Sequence, residues 1–138
     1  MDKSLYIEME KLEGNHWWFR GRREIIFSIL KKYIKNPVNK ILDIGSGTGK
    51  NTELIRNIFK SEIVGLESSD EAIEITSKKY KWLKIIKGIF PKDLPNEKFD
   101  LITFFDCLEH IDDDISSLKK AKEALNNGGH LFLTVPAF

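Results

Sequence analysis

The sequence predicts an open, doubly wound α/β sheet, and three observations carry that prediction. Short apolar runs alternate with stretches of helical periodicity, and the first run stops at a glycine cluster. The longest run, 99–105, is apolar almost throughout, as a strand covered on both faces of a parallel sheet must be. The chain has 138 residues, 22 Lys+Arg against 21 Asp+Glu, a formal net charge of +1 and 41% hydrophobic residues. Such a balance describes one ordinary globular domain. It argues against disorder and offers no basic face for sequence-independent nucleic-acid binding. The pairs Lys31-Lys32, Lys78-Lys79 and Lys119-Lys120 read as solvated helix faces. A single cysteine, Cys107, cannot form an internal bridge, and without a Cys/His cluster no metal site is expected. No apolar run approaches the ~18 residues of a membrane span, and no apolar segment follows Met1-Asp2-Lys3, so a cytoplasmic location is expected.

Residues 1–36 read as a helical extension or lid, and 37–138 as the core. In the extension, Ile25, Ile26, Ile29, Leu30 and Tyr33 recur at helical spacing and predict a helix over about 21–34, ended by Asn36-Pro37. Trp17, Trp18 and Phe19 stand in a row and cannot all face one core, so at least one should line a cleft. The run 40–45 predicts the first strand, and Leu54, Ile55, Ile58 and Phe59 the next helix. The second strand is 63–67, and Ser68 with Glu71 reads as a capping box opening the helix that follows. Strands over 83–87 and 99–105 come next. Asp112, Asp113 and Asp114 open a helix in which Lys119, Lys120 and Lys122 lie further along, with Gly128-Gly129 as its left-handed stop. A fifth strand spans 130–135.

Right-handed connections between these five strands give an open doubly wound sheet, for which the order 3-2-1-4-5 is expected. Ligands of such a sheet bind outside the carboxyl ends of the strands, near the switch in strand order. The chain stops soon after the fifth strand, whose apolar edge would invite pairing with another chain. Either a truncated domain or self-association, for example a homodimer through that edge, is therefore expected.

The most specific feature is Leu42-Asp43-Ile44-Gly45-Ser46-Gly47-Thr48-Gly49, with Glu67 closing the second strand. The three glycines allow a sharp turn and close approach to a ligand, while the following helix presents free N–H groups. A P-loop would need glycine where Ile44 stands and Ser or Thr after its lysine, where Asn51 stands. A dinucleotide fingerprint needs glycine where Lys50 stands. What fits is a nucleoside without a pyrophosphate, flanked by acids before the loop and at the end of the second strand.

These residues resemble the first motif of class I S-adenosylmethionine-dependent methyltransferases. Phe99-Asp100-Leu101-Ile102 with Leu108-Glu109-His110-Ile111 is similar to their fourth-strand motif, and His16-Trp17-Trp18-Phe19-Arg20-Gly21-Arg22-Arg23 resembles the entry helix of small-molecule members. The resemblance runs from about His16 onward. It implies a Rossmann-like sheet, S-adenosylmethionine as cofactor with S-adenosylhomocysteine as product, and a small-molecule methyl acceptor. It further implies cofactor contacts from Asp43, from Gly45, Ser46, Gly47, Thr48 and Gly49, and from Glu67 on the ribose hydroxyls with Ser68 beside it. Asp106 and Cys107 would face the methionine part, and Arg20 would pair with its carboxylate. His110 is the candidate general base where an acceptor would arrive. Two departures stand out. Gly88 is followed by Ile89 and Phe90 where many members carry an acid for the adenine amino group, and the family's sheet normally continues past the fifth strand. A binding module without turnover, or an NAD-binding oxidoreductase domain, are the alternative functions.

Overall fold

The computed structural model describes residues 3–136, so the outermost residues of the two expected units lie outside it. The elements run α1 (Lys3–Asn15), α2 (Trp17–Tyr33), β1 (Lys40–Ile44), α3 (Lys50–Phe59), β2 (Glu62–Glu67), α4 (Asp70–Lys79), β3 (Lys84–Lys87), β4 (Phe99–Phe105), a single 3₁₀ turn (Leu108–His110), α5 (Asp114–Glu123) and β5 (Leu125–Thr134). The strands form one five-stranded sheet in the order β3-β2-β1-β4-β5, and every neighbouring pair is parallel.

Alternation along the strands divides the core in two. Ile41, Ile63 and Leu101 point to the face covered by Ile26 and Leu30 of α2 and Ile55 of α3. Leu42, Val64 and Ile102, one residue on, point to the face covered by Phe90, Leu108 and Ala121. All of these are buried, and each large side chain removed from water contributes about 1.5–3 kcal/mol. The helix predicted over 21–34 begins earlier, at Trp17, because the His16 ring caps it: Nδ1 accepts from the Trp18 N–H at 3.2 Å. Of its predicted apolar stripe only Ile26 and Leu30 are built into the core, whereas Ile25, Ile29 and Tyr33 are exposed.

Two local expectations are corrected. Ser69, one residue beyond the predicted cap, starts α4: its Oγ accepts from the Ala72 N–H at 3.3 Å, while Ser68 stands free of the cap at the tip of β2. Nor do Gly128 and Gly129 end α5, which stops at Ala124 in right-handed geometry. They lie inside β5, which therefore starts at Leu125, earlier than predicted. Phe99 pairs with Leu125 but Leu101 with His130, so Asn126–Gly129 bulge opposite Asp100. Gly128 makes the bend with φ +78°, and the Asn126 amide holds it by donating to Asp100 Oδ1 at 3.0 Å. The acidic start of α5 does form, through Asp113 Oδ1 accepting from the Ser116 N–H at 2.9 Å.

Gly49 shows how tightly the first turn is built. It has φ +84°, and a Cβ there would lie 2.6 Å from Cε2 of Tyr80. That ring is buried, and its hydroxyl donates to Glu53 Oε2 at 2.8 Å, so it cannot step aside. Gly49→Ala is expected to lower unfolding free energy by about 2 kcal/mol or more, read from urea midpoints; an unchanged midpoint would contradict this packing.

Candidate functional site

The carboxyl ends of β1, β2 and β4 open into one cavity of about 370 Å³, within the range of small-molecule sites. Its floor is the turn after β1. Gly45 and Gly47 have φ +69° and +54°, conformations that side chains rarely adopt. A Cβ on Gly45 would sit 2.8 Å from Cys107 Sγ, whereas beside Gly47 the backbone is open.

Glu67 fixes this turn from β2. Its Oε1 accepts from the Gly47 N–H at 2.8 Å and its Oε2 from the Ser69 N–H at 2.9 Å, and the residue is 8% exposed. The carboxylate thus joins the glycine turn to the start of α4. Each oxygen keeps acceptor capacity toward the cavity.

Asp43 is 1% exposed and lies deeper. Its Oδ2 accepts from Thr52 Oγ1 at 2.5 Å and its Oδ1 from Thr103 Oγ1 at 2.8 Å, which ties β1 to α3 and β4. Burial pushes its carboxyl up to about 6; the two hydroxyl donors oppose that shift and the nearby Glu67 charge adds to it. The Cys107 thiol is pushed up to about 11, chiefly by burial and then by Asp43, Glu67 and Glu109, so it is a protonated packing group behind Gly45.

The other cavity walls come from the end of β4 and from the N-terminal helices. Asp106, with φ +51°, is ion-paired to Arg22, whose other terminal nitrogen donates to Thr134 Oγ1 at 2.8 Å. Tyr6, Met9 and Glu13 of α1 and Phe19 and Arg23 of α2 complete the lining. Of the three consecutive aromatics only Phe19 lines it; Trp17 is 75% exposed. His110 reaches the rim with its side chain 79% exposed and its Nε2 3.7 Å from Glu109 Oε1.

The fold therefore gathers Asp43, Gly45, Ser46, Gly47, Thr48, Glu67, Ser68, Asp106, Cys107 and His110 around one cavity. Arg20 and Gly49 do not line it. Gly49 caps α3 behind the turn, and Arg20 lies on the outward side of α2 in a separate shallow groove with Phe27 and Leu54, a groove that Arg23 borders as well as the cavity. Helical rotation explains the difference. Residues 19, 22 and 23 share a face, and residue 20 falls about 100° away from 19. The residues of α1 carried no motif, and Glu13 was missed for that reason. An i, i+3, i+7 reading of Tyr6, Met9 and Glu13 is the signal that locates them.

Do these groups suit a nucleoside cofactor? Glu67 offers acceptors for a diol, and the Gly47 backbone leaves room for close approach, while the Ser46 hydroxyl is shut in against Gly65. The donor and acceptor set fits. Parallel order, glycine turn and β2 carboxylate define the class of Rossmann-like nucleoside-cofactor folds. Within that class the chain belongs to the methyltransferase domain family, whose model matches residues 18–138.

Among curated proteins it is similar to the mitochondrial ubiquinone biosynthesis O-methyltransferase of Candida albicans, 30% identical over 102 residues that cover 68% of this chain and 31% of that protein. It is also similar to the ubiquinone biosynthesis O-methyltransferase of Aliivibrio fischeri strain MJ11, 26% identical, covering 92% of this chain and 61% of that one. The SAM-bound amino pentose methyltransferase CalS10 of Micromonospora echinaspora superposes with a TM-score of 0.77 at 18% identity, over 97% of this chain and 57% of that chain. The chain thus spans between a third and three fifths of the length of these relatives.

The Asp43 carboxyl titrates higher in the fold than in the unfolded chain, so its ionisation weakens the fold. Its contribution is most favourable below about pH 4 and is lost as pH rises through about 6. Stability of the wild type relative to Asp43→Asn should therefore fall across that window, by up to about 1.4 kcal/mol per pH unit, in urea unfolding at stepped pH. A flat difference would remove the buried carboxyl as the cause.

Proposed function

We propose that this chain forms the cofactor-binding part of an S-adenosylmethionine-dependent methyltransferase acting on a small-molecule acceptor. The observation that carries the reading is Glu67, whose carboxylate locks the Gly47 N–H and still faces the cavity. Bound there, the cofactor's sulfonium supplies an activated methyl group for in-line displacement by the acceptor. Such a displacement needs no covalent enzyme nucleophile, in keeping with the protonated Cys107.

The chain's own part is orientation and exclusion of water. Glu67 accepts from the ribose diol, the turn from Gly45 to Thr48 carries the sugar and methionine end, and Asp106 with Cys107 borders the reacting side. Arg23, which lines the cavity, takes the carboxylate task that the resemblance gives to Arg20; Arg22 is already engaged with Asp106. His110, at the rim, accepts a proton from acceptors that arrive protonated. Ile89, where many members carry an acid for adenine, is 61% exposed beyond β3 and does not line the cavity. A carboxylate at Glu67 disfavours a ribose 2′-phosphate, and so an NADP ligand.

Among the described residues β5 pairs on one side only and Leu131 in it is exposed, which supports pairing with a second chain. Among the described residues no helix is long and apolar enough to cross a membrane. A cytoplasmic location stays within the proposal on the balanced composition alone.

Calorimetric titration with S-adenosylhomocysteine tests this reading, with NAD as control. Binding is expected for the wild type and for Arg20→Ala, with losses of about tenfold or more for Glu67→Gln and Arg23→Ala and no NAD binding. A folded wild type that binds NAD and not S-adenosylhomocysteine would overturn it.

A further inference from the structure

The cavity has four carboxylates in its wall: Glu13, Asp43, Glu67 and Asp106. Three are committed. Asp43 accepts from two threonine hydroxyls, Glu67 from two backbone N–H groups, and Asp106 is paired with Arg22. Glu13 is different. Its Oε2 accepts only from Thr48 Oγ1, at 2.7 Å, and among the described residues no ion pair includes it.

A half-buried carboxylate with a single hydroxyl partner is poorly compensated. Burial accordingly raises the Glu13 carboxyl above the ordinary glutamate range, and the charges of Arg23, Lys50 and Arg22 act from a distance in the opposite sense. Arg23 also lines the cavity without an ion-pair partner among the described residues. The roof therefore presents one uncommitted negative and one uncommitted positive group to the same space. That pairing is complementary to an α-amino acid zwitterion, whose two charges sit on adjacent atoms of one carbon.

The scaffold behind Glu13 is suited to a roof. Tyr6, Met9 and Glu13 lie on one face of α1 toward the cavity, and the neighbouring Glu10 is ion-paired to Lys79 of α4 at 2.6 Å. One side chain of α1 thus reaches the glycine turn and another reaches the end of α4, outside the cavity. Contact between Glu13 and a bound cation would add a third anchor, made only when ligand is present.

Resting on the methyltransferase reading, we propose that Glu13 is a cofactor-binding residue that takes the α-ammonium group of the cofactor's amino-acid end, so that α1 closes over ligands carrying that group. Arg23 faces the carboxylate of the same end. Specificity for the intact amino acid over the bare nucleoside thioether then resides in the lid as well as in the sheet.

The test compares Glu13→Gln with wild type for three ligands: S-adenosylhomocysteine, S-adenosylmethionine and 5′-methylthioadenosine, which lacks the amino-acid end. Glutamine keeps an oxygen for Thr48 and removes the charge. Affinity for the first two should fall about tenfold or more, with 5′-methylthioadenosine changed by less than about twofold. Glu10→Gln, which loosens the other anchor of α1, should change all three by the same factor. Equal losses for all ligands in Glu13→Gln would make it a packing residue, and no loss would remove it from the site. A loss for S-adenosylmethionine alone would place it on the sulfonium, and each of these outcomes overturns the assignment. A wild type that binds 5′-methylthioadenosine but not S-adenosylhomocysteine also overturns it, whereas failure to bind any of the three overturns the underlying functional reading.

Discussion

The Asp43 carboxylate is the interaction on which the site depends. It sits at the crossover of the sheet, on the central strand, and its two oxygens accept from α3 and from β4 through Thr52 and Thr103. Burying a carboxylate this deeply costs several kcal/mol unless it is hydrogen-bonded, and the two hydroxyl donors come from Thr103, its register partner on β4, and from Thr52 of α3. β4 is thereby fixed against β1, and α3 against the end of β1. The glycine turn is held between those two restraints.

Glu67 completes the frame from the opposite side. Asp43 anchors the turn from beneath, whereas Glu67 holds Gly47 from the tip of β2 and continues to the N-terminus of α4. The turn is consequently set by two acids on adjacent strands before any ligand arrives. Preorganisation of this kind reduces the ordering cost of binding. It also explains why left-handed glycines occur at Gly45 and Gly47, where a side chain would be strained in one case by Cys107 and in both by the backbone.

Much of this was legible in the sequence because the relevant signals are local. The apolar run 99–105 matches β4, and the glycine cluster marks the end of β1. The expected strand order 3-2-1-4-5 is the one observed, and Asp43 and Glu67 stand out as acids at strand ends. Features set by tertiary contact were harder to read. Gly128 has the composition of a helix stop, but pairing of β5 with β4 past Asp100 turns it into a bulge. Ser68, three residues before Glu71, is the better cap by sequence, but Glu67 engages the Ser69 N–H and Ser69 starts the helix. Arg20, Arg22 and Arg23 are three neighbouring cations whose separation comes only from the rotation of α2 over the cavity. α1 has no strong apolar stripe, so its position follows from Glu10 and Glu13 meeting Lys79 and Thr48.

The central claim is that the turn between β1 and α3, clasped by Glu67, receives the cofactor. Amide chemical-shift mapping of the ¹⁵N-labelled chain with S-adenosylhomocysteine tests it most directly. Shifts are expected to concentrate at Gly45–Thr48, Ser68–Ser69 and Asp106–Cys107, with the Gly47 amide among the largest because its N–H is held by Glu67, the proposed ribose acceptor. Saturable shifts that spare this turn and gather elsewhere would contradict it.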